Sequence, residues 1–339
     1  MFENKIILTG IKPTGIPHLG NYIGAIKPML ELAKGNKLII FIADLHALNM
    51  ISDAKLVSRY SYEIAASLLA LGLNPDETVF FRQSDVPEVA QMSVLLSNVT
   101  PKGLMNRAHS YKAKIEKNNE HGEDVDSGVN MGLYTYPILM AADILLYGSD
   151  IVPVGKDQKQ HVEFARDIAG SFNHIYGENL LKLPEPYIKE DAGIIPGLDG
   201  RKMSKSYDNY IPIFAPESQL KKLIMRIITD SKLPEEPKNP DESSIFNLYK
   251  HFASEPEIED MRQHFVRGGL GYGTAKQMLF TAINTKLKSA RDKYEDLIKN
   301  TKEIDNILIL GAQKARAIAK PILDNVSNAM LGKSITSNK

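Results

Sequence analysis

The chain has no cysteine, which excludes disulfides and thiolate metal centres and fits a reducing compartment. It has no surplus of either charge. Lys plus Arg and Asp plus Glu number 41 each, so any surface that attracts nucleic acid must be local. It lacks an apolar run of membrane-spanning length, and its first residues carry no secretion signal, so a soluble cytoplasmic protein without a membrane partner is expected. Low-complexity tracts and internal repeats are absent as well. What remains is ordinary globular material: 339 residues, 43% hydrophobic and 24% charged, with room for two domains.

The common phosphate loops are missing too. Gly10 and Gly15 have the first spacing of a Walker loop, but Ile16-Pro17 stands where Lys-Ser/Thr should follow, and the dinucleotide glycine spacing is absent. In their place is Leu8-Thr9-Gly10-Ile11-Lys12-Pro13-Thr14-Gly15-Ile16-Pro17-His18-Leu19-Gly20-Asn21. It follows an apolar strand, Lys5 to Leu8, and precedes a helical pattern from about Asn21 to Leu32. Glycines let backbone approach a ligand, and a helix mouth behind them would expose unpaired N–H groups suited to phosphate. His18 and Asn21 add two uncharged donors there. Geometry alone also explains Gly and Pro in such a turn.

Further strands are read at Lys37–Ala43, Thr78–Phe81 and Asp150–Val154, apolar enough for a parallel sheet buried on both faces. Asp44, His46 and Asn49 follow the second of them, where doubly wound sheets place ligands. Ser52 is read as the cap of a long amphipathic helix that ends at Gly72, and Pro87 as the first turn of another ending near Asn98. From Thr100 to Asn130 the composition turns polar and reads first as a solvated loop, with a partner surface or an RNA contact as alternatives. Tyr134–Tyr147 is helical in spacing and apolar nearly all round, with Asp143 as its anomaly. A buried carboxylate needs a partner: a backbone donor, or a ligand that carries an N–H. Tyr136, Met140 and Asp143 share one face and would make a slot for a flat ring with a polar N–H.

A second glycine-to-helix turn, Gly155-Lys156-Asp157-Gln158, follows the fourth strand; it suits ribose hydroxyls, an ammonium group or plain helix capping. Arg201-Lys202-Met203-Ser204-Lys205-Ser206 puts three cations in five residues beside glycines, a flexible basic loop able to close on polyphosphate. Beyond Pro212 helical patterns follow at Glu217–Ile228, Ser243–Phe252, Ile258–Val266, Thr274–Leu297 and Ile304–Met330. Lys221, Lys222, Arg226, Arg262, Arg267, Lys276 and Lys286 offer nucleic-acid contacts there, or a solvated face.

Together these residues resemble a known set. His18-Leu19-Gly20-Asn21 resembles the HIGH motif and Lys202-Met203-Ser204-Lys205-Ser206 matches KMSKS, a pair specific for class I aminoacyl-tRNA synthetases. Tyr136–Asp143 with Val152–Gln158 resembles the bacterial tryptophanyl type over nearly the whole chain; the Gln-Ala-x-Asp of tyrosyl enzymes is replaced by Met140-Ala141-Ala142-Asp143. Family members commonly have Gln at position 12 and Glu at position 156, where this chain has Lys12 and Lys156.

The resemblance implies an α/β fold, a doubly wound, Rossmann-like parallel-sheet catalytic domain over residues 1–195 with an insertion at about 100–130. Residues 196–210 would form the KMSKS loop, and 211–339 a mostly helical anticodon-binding domain whose last helix can pack back on the first. It further implies activation of L-tryptophan by ATP, with Mg²⁺ arriving on the nucleotide, transfer to tRNA(Trp), and a homodimer. Catalytic roles fall to His18, Asn21, Lys202 and Lys205. ATP binding falls to Lys12, Gly20, Asn21, Gly155, Asp157, Lys202, Met203, Ser204 and Lys205. Tryptophan would be held by Gly10, His46, Tyr136, Met140, Asp143, Val152, Val154 and Gln158. Tyrosine activation, a small-molecule nucleotidylyltransferase and a non-catalytic tRNA-binding paralogue are the competing readings.

Overall fold

Among the described residues five short segments, the first four of them apolar, build one parallel sheet: β1 (Ile6–Ile11), β2 (Lys37–Ile42), β3 (Val79–Arg82), β4 (Ile151–Pro153) and β5 (Glu185–Tyr187), in the order β3-β2-β1-β4-β5. The computed structural model describes residues 2–155, 158–177, 179–188 and 194–332. β1 pairs with β2 along its whole length, from Ile6 opposite Lys37 to Ile11 opposite Ile42, and with β4 at Ile7 opposite Ile151. The chain therefore winds outward from β1 to β3, returns, and starts again at β4. The reversal lies between β1 and β4, and a doubly wound sheet opens its ligand crevice at that point.

Side chains alternate across the strands, and this divides the interior in two. Leu38, Ile40 and Ile42 of β2 join Ile7 and Phe80 in one core, whereas Ile39 and Phe41 join Leu8, Val79 and Phe81 in the other. The first face is covered by α1 (Leu19–Asn21), a π-helical turn at Tyr22–Ile26, α2 (Lys27–Leu32) and α4 (Ala54–Ala70). The second is covered by α5 (Glu88–Ser97), α8 (Met131–Leu145) and α9 (Lys159–Tyr176). A short α3 (Asp44–Ala47) leaves β2 toward the crevice.

Beyond the loop come α10 (Glu217–Met225), α11 (Ser244–Tyr249), α12 (Glu255–Arg267), α13 (Tyr272–Lys299) and α14 (Thr301–Leu331). Their apolar faces continue the first core without a break. Helix α14 begins there through Ile304 and Leu308, then crosses to the second core through Ala312, Ala315, Leu323 and Val326. It can lie flat on the sheet because Gly311 has no side chain: a Cβ there would stand 1.7 Å from the Phe80 carbonyl oxygen.

Four readings of the sequence are corrected. Strand β1 extends to Ile11, so Gly10 belongs to the strand, its missing Cβ leaving room for the Phe41 ring. The cap of α4 is Asp53, whose carboxylate takes the N–H groups of Lys55 and Leu56, and not Ser52. β5, a Glu-Pro-Tyr segment with no apolar run, is an added edge strand that among the described residues pairs only with β4. The 100–130 segment is largely helical, with α6 (Lys102–Met105) and α7 (His109–Glu120). Tyr111 packs edge-on against Tyr134 of α8, and the buried Asn118 amide donates to the carbonyls of Val125 and Ser127. Those contacts order a segment whose composition looks solvated.

Candidate active site

A cavity of about 520 Å³ opens at the carboxyl ends of β1 and β4, in the crevice where the winding reverses. Gly10, His46, Tyr136, Met140, Asp143, Val152, Val154 and Gln158 all line it, as do Lys12 and Gly155 from the expected nucleotide set. Asp157 lies outside the described residues, as does Lys156. Helix α8 delivers Tyr136, Met140 and Asp143 on one face, as a spacing of four and then three residues requires.

Asp143 is 1% exposed at the wall of this cavity. Its Oδ2 stands 2.8 Å from His46 Nε2, and both carboxylate oxygens accept from Gln83 Nε2 at 2.9 Å. Burial raises its pKa above the usual carboxylate value, and the hydrogen bond and charge of His46 and the hydrogen bond from Gln83 oppose that rise. The carboxylate is thus a buried acceptor held by two donors. Tyr136 meets the His161 ring edge-on at 5.4 Å, with its hydroxyl 3.3 Å from His161 Nε2.

Gln83 and His161 were not singled out from the sequence. Gln83 follows the end of β3 as His46 follows the end of β2, so the same strand-end rule reaches it. His161, in the first turn of α9, carried no such signal.

The HIGH-like turn folds on itself. His18 Nδ1 accepts from the Asn21 N–H at 3.2 Å and Asn21 Oδ1 accepts from the His18 N–H at 3.1 Å, a reciprocal cap for the helix. This leaves His18 Nε2–H and the Asn21 amide N–H₂ as donors. Burial, with the charge of Lys205, pulls the His18 pKa down to about 4, so its ring is neutral at physiological pH.

The unpaired N–H groups expected at this helix mouth are all taken. Leu19 donates to the Ile211 carbonyl at 2.9 Å and Gly20 to Met203 Sδ at 3.3 Å. The capping pair and the overlying loop satisfy them first.

The KMSKS loop therefore lies on the turn. Met203 is buried, and Lys205 Nζ donates to the Thr14 carbonyl at 2.7 Å. Partial burial lowers the Lys205 pKa and the Glu63 carboxylate opposes that shift. Lys202 is exposed, and its backbone bridges to Pro196. Ser204 accepts from the Ser206 N–H, and its own N–H donates to Asn209 Oδ1 at 2.8 Å. Buried Asn209, also missed in the sequence, ties the loop together through Asp199 and the Lys202 carbonyl.

His18, Asn21 and Lys205 thus gather at the turn, with Lys202 exposed on the overlying loop, whereas the ring-binding set gathers in the cavity. Lys12 lines the cavity as well, its pKa lowered by partial burial. The arrangement offers donors and cations to an anion at one end and a buried acceptor in an apolar slot at the other. Among the described residues no group of three His, Asp or Glu could hold a metal ion.

Known proteins match this chain. The sequence pattern of the family described as "tRNA synthetases class I (W and Y)" matches residues 3–288. A tryptophan–tRNA ligase of Pseudomonas aeruginosa is 50% identical over 328 residues, 96% of this chain and 73% of that protein. One from Neisseria meningitidis is 47% identical over 331 residues, 97% of this chain and 98% of that protein. Among solved structures, the tryptophanyl-tRNA synthetase of Campylobacter jejuni in complex with ADP and tryptophan superposes with a TM-score of 0.88 at 43% identity, covering 96% of this chain and 99% of that one.

Proposed function

This chain belongs to the class I tRNA synthetases of the tryptophan and tyrosine group, and from that premise we propose that it joins L-tryptophan to tRNA(Trp) in two steps that consume one ATP. First a tryptophan carboxylate oxygen attacks the α-phosphorus, the bond to the β-phosphate oxygen breaks, and pyrophosphate leaves. Then a ribose hydroxyl of the tRNA end attacks the acyl carbon, the bond from that carbon to the phosphate oxygen breaks, and AMP leaves, the hydroxyl proton passing to the departing phosphate. A carboxylate is already ionised at neutral pH, so the first step needs no general base. It needs alignment and donors for the charge that grows on phosphate. His18 Nε2–H, the Asn21 amide, Lys12, Lys202 and Lys205 are the groups proposed to supply them.

The observation that carries the choice of amino acid is Asp143. It is a buried acceptor beside Met140 and Val152, and it fits a ring bearing an N–H. Mg²⁺ is proposed to enter as part of the nucleotide substrate, its ligands supplied by phosphate oxygens.

In the helical region Lys276 donates to the Met225 carbonyl and Arg262 lies by Asp241, so Lys222, Arg226, Arg267 and Lys286 are the better candidates for tRNA contact. A homodimer is proposed on family grounds, and Val94, Val125 and Met131 expose apolar side chains around the 100–130 segment. No helix among the described residues is long and apolar enough to cross a membrane.

Amino-acid-dependent ATP–pyrophosphate exchange, screened over all twenty amino acids, tests the reading. Exchange with tryptophan alone is expected. Exchange with tyrosine alone would overturn the pocket assignment, and exchange with none would overturn the enzyme.

A further inference from the structure

We propose that Gln83 is a second specificity-determining residue for the indole ring, and that helix α14 holds it in place. The inference rests on the reading of Asp143 as the acceptor for tryptophan.

Gln83 is fully buried in the turn that follows β3. Its amide has only one workable orientation. Oε1 accepts the His46 backbone N–H at 3.4 Å, and a backbone N–H can only donate, so the amide nitrogen must face Asp143. There it donates across both carboxylate oxygens at 2.9 Å. A carboxylate has about four lone-pair sites, so His46 and Gln83 leave capacity for one more donor. That donor would have to approach along the remaining direction, toward the cavity. Gln83 thus fixes both the direction and the acceptor character of Asp143.

The segment that carries Gln83 is gripped on both sides by α14. Before it, the Arg82 guanidinium pairs with Asp305, and the Tyr62 hydroxyl donates to both Asp305 oxygens at 3.0 Å. After it, Arg316 Nε donates to Glu88 Oε1 at 2.8 Å. Between these points Gly311 rests on the Phe80 backbone, which fixes the helix in register along β3. Residues 305 and 316 are about 16 Å apart along a helix, so the two pairs brace the segment at separate points. A helix from the far end of the chain therefore sets where the Gln83 amide stands.

The test compares exchange supported by tryptophan with exchange supported by its benzothiophene analogue, in which sulfur replaces the N–H. In Gln83→Met the preference for tryptophan should fall about tenfold or more, the worth of a hydrogen bond to a charged group. The change should appear in the KM for the amino acid and leave the KM for ATP unmoved. Asp305→Asn should move the same ratio in the same direction by a smaller factor. A folded Gln83→Met protein with an unchanged ratio overturns the inference. Should that variant fail to fold, an unchanged ratio in Asp305→Asn overturns it instead. The unsubstituted protein separates the two readings. Without tryptophan-dependent exchange there, the functional reading falls and this inference with it; with exchange but an unmoved ratio in the variants, this inference falls alone.

Discussion

Replacing Asp143 distinguishes a substrate acceptor from a structural carboxylate, provided the right substitution is chosen. Asp143→Ala would leave His46 Nε2 and Gln83 Nε2 without their acceptor. Each buried orphan donor costs roughly 1–3 kcal/mol, and breaking a buried charged pair about 3–5 kcal/mol. Lost activity in that variant would be ambiguous. Asp143→Asn keeps the volume and one carbonyl oxygen for Gln83, and its amide nitrogen can donate to His46 once the imidazole proton sits on Nδ1. What disappears is the ionised acceptor. A hydrogen bond to a charged group contributes about 1.5–3 kcal/mol, so kcat/KM for tryptophan should fall about 10- to 150-fold. The preference over the benzothiophene analogue should collapse by a similar factor.

Stability should move the other way. Burial raises the Asp143 pKa, with His46 and Gln83 opposing, so the ionised carboxylate costs folding free energy. That cost is complete above the folded-state pKa and is relieved as the pH falls toward the unfolded value. Asp143→Asn removes it, and the melting temperature at neutral pH should be unchanged or higher. The chain contains no tryptophan, so all indole emission comes from the substrate, and its change from free to bound supplies the binding constant beside the exchange assay. An Asp143→Asn protein that keeps both its kcat/KM and its preference would refute the reasoning. One that melts far below the unsubstituted protein would assign the carboxylate to structure.

Three further outcomes are expected. Gly311→Ala must push α14 off the Phe80 carbonyl, which a Cβ would approach to 1.7 Å; a loss of about 1–3 kcal/mol or more should appear in denaturant melts. Lys205→Met should lower the exchange rate about 10²–10³-fold, the effect of losing one donor to developing charge, while indole fluorescence reports unchanged tryptophan binding. His18 is held down to about pKa 4, below its ordinary 6.5, so the unfolded chain takes up its proton first as the pH falls. The corresponding stability, up to about 3 kcal/mol, is complete above pH 6.5 and lost toward pH 4. His251 is depressed likewise, so the His18 share is the difference between the melts of the unsubstituted protein and His18→Gln across that window.

How much of this was legible in the sequence depends on the kind of contact. The four apolar strands and helix α8 follow from runs and periodicity, because burial on both faces leaves its mark on composition. The edge strand β5 carries no such mark, since Glu-Pro-Tyr is neither apolar nor alternating. Helix α7 was hidden for the opposite reason: its residues are polar, and what orders them is a pair of rings and one buried amide. Asp143 was conspicuous as a charge on an apolar helix, but its partners were not. His46 and Gln83 come from two other strand ends, and only the register of the sheet brings them together.

The same limit applies to the HIGH-like turn, and it bears on how the reaction is driven. Read as a sequence, the turn promises open N–H groups; folded, it has closed every one. Gly20 donates to Met203, Lys205 to Thr14, and His18 and Asn21 cap each other. In the proposed reaction ATP must take Lys205 from the Thr14 carbonyl, so the hydrogen bond that lysine gains is largely offset by the one it loses. Binding of the ground state then draws little from Lys205. Charge that grows on the leaving pyrophosphate strengthens only the new bond, because a carbonyl carries no growing charge. The contact given up when nucleotide binds thus keeps the lysine's attraction for the step in which the bond to pyrophosphate breaks, which is the condition for raising kcat and not merely affinity.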